Sequence, residues 1–134
     1  MPLKQISVFL ENKSGQLLEI VNLLAANGID LRALSIAEAQ DYGVLRIIVD
    51  KPDETLSFLR QQEWVCQMNE VLAVTVPDEP GSLTRILTVL ADKNVNMVYT
   101  YAFLSGTQGK ACIVLRVDDN AYAEKLLRDA GIEG

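Results

Sequence analysis

Leu10-Glu11-Asn12-Lys13-Ser14-Gly15-Gln16-Leu17-Leu18-Glu19 joins two different hydrophobic periods. Ahead of it Ile6, Val8 and Leu10 alternate, the period of a half-buried strand over about Lys4 to Glu11. Behind it Leu17, Ile20, Val21, Leu23 and Leu24 recur at helical spacing as far as about Asn27. The stretch is therefore a strand-to-helix turn, with Ser14 the expected N-cap and Gly15 in the first helical turn. Val76-Pro77-Asp78-Glu79-Pro80-Gly81-Ser82-Leu83 repeats the design. Two copies of one turn imply one small fold used twice.

Working outward, Gly28 is a good residue to follow the first helix, because it takes positive φ without steric cost. A second strand is expected from about Asp30 to Ala39, and Asp41-Tyr42-Gly43 reads as a tight turn into a third, Val44 to Val49. Pro52 opens a second helix with Leu56 and Leu59 inward, and Asp53 and Glu54 complement its positive end. Trp64 to Met68 reads as a fourth strand. The order β-α-β-β-α-β is that of the ferredoxin-like folds.

The second half repeats this order. Aligning Gly15 with Gly81 sets an offset of 66 residues, which also pairs Leu17 with Leu83, Ile20 with Ile86 and Leu24 with Leu90. It lays Gly28-Ile29-Asp30-Leu31 over Asn94-Val95-Asn96-Met97. Later the offset becomes 68, pairing Val49-Asp50 with Val117-Asp118, so two residues are added in the turn at 105–109. The expected domains are 1–69 and 70–134, with no linker between them, since Trp64 to Pro77 reads almost continuously as strand. The fold class expected is α+β: two units side by side in one mostly antiparallel sheet, with helices on one face. Of eight strand positions the last is truncated or absent, which would leave an open edge that invites pairing.

Composition removes several function classes. The chain has 134 residues, 49% apolar and 22% charged, an ordinary globular balance. No apolar run is long enough to cross a bilayer and no signal peptide is evident, so a cytoplasmic protein without membrane association is expected. A net charge of −6 opposes nucleic-acid binding, which needs clustered Lys and Arg. There is no histidine, so neither a Cys/His metal cluster nor a His-based catalytic pair can form, and no cofactor motif is present. Cys66 and Cys112 lie in apolar strand-like runs and read as small buried hydrophobes. No catalytic residue is assigned, and an enzyme is not expected.

The two turns, together with Gly28-Ile29-Asp30 and Asn94-Val95-Asn96, resemble the signature of ACT domains, and the chain resembles a stand-alone tandem ACT protein. The resemblance implies a small-molecule sensor in which ligand sits where one unit's turn meets the start of the other's second strand. It assigns Asn12, Lys13, Ser14, Gly15, Gln16 and Leu17, with Asn96 and Met97, to a first site. It assigns Asp78, Pro80, Gly81, Ser82 and Leu83, with Asp30 and Leu31, to a second. The physics of the turn agrees: first-turn N–H groups and the helix dipole favour a carboxylate, and glycine lets it approach closely. Asp78, Glu79 and Asp30 make the second site the more acidic, so the first is the better candidate. Ser14 stands where the family usually has proline and would compete for the same N–H groups.

Met97, Tyr99, Tyr101 and Phe103 form a period-two stripe, expected to pack in the core or against another chain. Arg46 shares a face with Val44 and Ile48, so either that face is free of helices or Arg46 has a carboxylate partner. The expected task is binding a free amino acid or related metabolite and modulating a separate enzyme or transporter, as a homodimer. The alternative is an adaptor module that acts through protein contacts alone.

Overall fold

The computed structural model describes residues 1–11, 15–38, 41–104 and 106–134. Among these lie six strands, β1 (Pro2–Glu11), β2 (Leu31–Glu38), β3 (Tyr42–Val49), β4 (Cys66–Pro77), β5 (Met97–Ala102) and β6 (Lys110–Val117). Four helices alternate with them: α1 (Gln16–Ala26), α2 (Pro52–Gln61), α3 (Ser82–Ala91) and α4 (Asn120–Asp129). The chain divides into two compact units, Lys4–Asn69 and a second formed by Met1–Leu3 with Glu70–Gly134.

In the Lys4–Asn69 unit β3 pairs antiparallel with both β1 and β2. Ile6, Val8 and Leu10 from β1 and Leu45, Ile47 and Val49 from β3 pack with Ile20 and Leu24 of α1 and Leu59 of α2. Strand alternation then puts Arg46, Val44 and Ile48 on the face without helices, where Arg46 is half-buried. Gln5 and Ser7 are buried on that same face, and the Ser7 hydroxyl donates to Asn69 Oδ1 at 2.9 Å. Residues Cys66–Asn69, the first third of β4, complete this unit, with Phe9 N–H donating to the Val65 carbonyl at 2.9 Å.

The second unit repeats the plan, β6 pairing antiparallel with β4 and β5. Leu72, Val74, Val76, Leu115 and Val117 pack with Ile86 and Leu90 of α3 and Ala123 and Leu127 of α4. The expected fourth and fifth strands are one twelve-residue strand, β4, because Val71-Leu72-Ala73-Val74 is buried on both faces and nothing in it stops the ladder. The doubtful last strand is reduced to a single bridge, Thr75 to Glu133, with Thr75 N–H donating to the Glu133 carbonyl at 2.8 Å.

Four further expectations are corrected. The N-cap position of α1 is Gly15, not Ser14, which lies outside the described residues. Tyr42 and Gly43 belong to β3, because they pair with Glu11 and Leu10 and so extend the ladder past the turn. Trp64 and Val65 precede the strand that was expected to begin with them. Met97 leaves the aromatic stripe: a register shift between Met97 and Tyr99 turns it into the core with α3 and α4. Tyr99 and Tyr101 stay together, their rings 6.2 Å apart and nearly parallel.

Candidate functional site

The two helix starts share a conformation at their glycines. Gly15 (φ 87°) and Gly81 (φ 93°) adopt the left-handed conformation that glycine tolerates best, and as N-cap residues they supply no side-chain cap. The first regular helical bonds run from Glu19 N–H to the Gly15 carbonyl (2.9 Å) and from Arg85 N–H to the Gly81 carbonyl (3.0 Å). The N–H groups ahead of them point out of the helix end, where the dipole favours a carboxylate.

Each turn is fastened by the first helical residue, in opposite chemical senses. Gln16 Oε1 accepts from Glu11 N–H at 2.7 Å. The equivalent of Glu11 is Pro77, which has no N–H, and there the Ser82 hydroxyl instead donates to the Pro77 carbonyl at 2.6 Å. The second turn is held further by Asp78 N–H on the Gly109 carbonyl (2.9 Å) and Glu79 N–H on the Pro77 carbonyl (3.0 Å). Ser82 N–H also reaches the Glu79 carbonyl at 3.4 Å. Pro80 and Leu83 are exposed.

The strand starts are clamped by residues that the sequence reading did not select. Asp50 Oδ1 accepts from Asp30 N–H at 3.0 Å, and Asp50 N–H donates back to the Asp30 carbonyl at 3.2 Å. Asp118 does the same for Asn96, at 3.3 and 3.2 Å. The signal was available in the Val49-Asp50 and Val117-Asp118 pairing of the repeat. The Asp30 carboxylate itself lies 3.8 Å from Arg32 Nε, both exposed. Leu31 and Met97 turn inward and pack against their own units' cores.

Asn12, Lys13 and Ser14 lie outside the described residues. Within either unit the turn and the second-strand start are at opposite ends of a helix, α1 being about 16 Å long by its eleven residues. Neither unit by itself brings its own pair together. A recess of about 190 Å³ does lie against Gln16 and Leu17, walled by Leu10, Glu11, Ile36, Glu38 and Gly43. Its two carboxylates, Glu11 and Glu38, add negative charge beside the turn that sequence spacing had made the less acidic one.

The sequence matches the family described as ACT domain pair over residues 1–132. The chain therefore belongs to the ACT domain pair family. A crystal structure of a Bacteroides thetaiotaomicron protein is similar, with 34% identity and a TM-score of 0.91 over 99% of this chain and 91% of that one. The regulatory subunit of Thermus thermophilus aspartate kinase, in its ligand-free form, shares the fold at 13% identity. Its TM-score is 0.64, over 95% of this chain and 91% of that one. So does Escherichia coli aspartokinase III in complex with lysine and aspartate, at 14% identity and a TM-score of 0.50, over 96% of this chain and 31% of that one. No curated protein matches the sequence. Among the described residues no helix is long and apolar enough to cross a membrane, which says nothing of strands.

Proposed function

We propose that this chain is a cytoplasmic sensor of a free amino acid and that its occupancy regulates a separate enzyme or transporter. The observation that carries the reading is the pair of left-handed glycines at the N-cap positions of α1 and α3, which have no side chain of their own to cap the helix. A ligand carboxylate would accept from the first-turn N–H groups, a charge-assisted bond in the field of the helix dipole. The first turn is the better site, because Gln16 and Leu17 border a recess. At about 190 Å³ the recess is smaller than the roughly 300–1,000 Å³ of drug-sized sites, which suits a small metabolite. Asn12, Lys13 and Ser14 directly precede Gly15 in sequence, and Asn96 and Met97 are the further contributors that the family pattern assigns.

Amide NMR tests this directly. A binding amino acid should shift the Gln16, Leu17 and Leu18 amides in a saturable way, and the amide of the same amino acid, lacking the carboxylate, should not. Equal shifts with both would remove the carboxylate from the account. A second reading, an adaptor working through protein contacts as a homodimer or with another chain, has one observation in its favour. Leu83 and Leu87 lie one helical turn apart on α3 and are both exposed.

A further inference from the structure

The Lys4–Asn69 unit carries a second recess, of about 270 Å³, whose chemistry differs from that of the helix turn. Phe9, Tyr42, Trp64 and Val65 give it apolar walls, and Glu11, Asp41 and Glu63 give it carboxylates. It shares Leu10, Glu11 and Gln16 with the smaller recess. Two of its aromatic walls, however, belong to the other face of the sheet: Phe9 and Tyr42 alternate with the core residues Val8, Leu10 and Leu45, while Trp64 packs against that core. The Phe9 and Tyr42 rings stand 6.3 Å apart at 52°, a corner that presents two π-faces. Phe9 is 40%, Tyr42 48% and Val65 67% exposed, so the apolar wall is open to a visitor.

We infer that this recess binds a small organic cation, a primary ammonium or a guanidinium, held against the Phe9–Tyr42 corner with Asp41 and Glu63 as counter-charges. Aromatic faces attract a cation within about 6 Å of the ring centroid, and the carboxylates add direct Coulombic attraction. The other occupants fit worse. An anion would meet three carboxylates and, among the described residues lining the recess, no Lys or Arg to offset them. A neutral apolar molecule would strip water from those carboxylates without replacing it. A bare Mg²⁺ or Ca²⁺ needs about six or more oxygen ligands, and aromatic walls supply none. The volume suits one compact molecule rather than a macromolecular surface.

Glu63 has a further peculiarity. Each of the four helices is followed by a left-handed residue: Gly28 (φ 67°), Glu63 (φ 67°), Asn94 (φ 58°) and Gly131 (φ 79°). Three of these are the residue types that tolerate the conformation, and the fourth, Glu63, lines the recess.

Trp64 is the only tryptophan and lines the recess, so its fluorescence reports on occupancy. The test titrates n-butylammonium chloride into the full chain, with n-butanol and sodium chloride at matched concentrations as controls. A saturable change with butylammonium alone is expected. Glu63→Gly should weaken it at least tenfold while the unfolding midpoint holds or rises, so that the loss cannot be ascribed to damage to the fold. Tyr42→Leu should weaken it as well. The inference is overturned if butanol gives the same curve, if the response never saturates, or if Glu63→Gly leaves it unchanged. The amino-acid reading at the helix turns stands or falls separately.

Discussion

Gly15 and Gly81 show what a single residue contributes to this molecule. A Cβ built on either meets nothing within 4 Å, so replacement is limited by backbone conformation rather than by space. Gly15→Ala and Gly81→Ala should each lose about 1–2 kcal/mol in denaturant unfolding, with Asn at the same positions losing less. Cys66 makes the contrasting case, in which the environment acts on chemistry. Burial pushes its thiol above the ordinary value of 9.0, more than the neighbouring Arg60 pulls it down. An unfolded chain therefore gives up this proton at lower pH than the folded one. That contribution to stability is intact below the ordinary thiol pKa and is lost as pH rises through the raised folded value. Urea midpoints measured from neutral to strongly alkaline pH should fall more steeply for this chain than for Cys66→Val. Equal slopes would show that the thiol does not contribute.

At the scale of elements, the repeat allows one half to instruct the other. Asp119 caps α4, its Oδ1 accepting Tyr122 N–H at 3.0 Å, while the equivalent Lys51 offers α2 no side-chain cap. Asp119→Ala should cost about 1 kcal/mol, and Lys51→Asp should return a similar amount by giving α2 the missing cap. Chemical denaturation of the two variants checks both. The helices and the β-α-β-β-α-β order were legible because each helix carries an apolar stripe and each turn a glycine. The start of β4 was not legible: Trp64 and Val65 have strand-like side chains but precede the ladder, although Trp64 to Pro77 had read almost continuously as strand. The bulge between Met97 and Tyr99 was invisible too, since a bulge changes which face a residue takes without changing its spacing in sequence. For the site, the glycine turns could be read directly. The Asp50 and Asp118 clamps could be found only by asking why the repeat keeps a carboxylate there.

For the whole molecule, the boundary between the units falls inside strands rather than in a linker. Residues Met1–Leu3 belong with Glu70–Gly134, and Ala73 N–H donates to the Met1 carbonyl at 2.6 Å. Removing residues 1–3 should therefore speed hydrogen exchange at the Ala73 amide, far along the sequence, more than at Ile6 or Val8. The central claim, that this ACT pair senses a free amino acid, is best tested by thermal unfolding of the full chain against each of the twenty amino acids at millimolar concentration. A ligand at a hundred times its Kd adds about 2.7 kcal/mol, readily seen as a higher midpoint. The account predicts a selective rise with one or a few amino acids, abolished by Asn12→Ala or Asn96→Ala. A flat response across the panel would contradict it and leave the adaptor reading, with α3 as the surface to pursue.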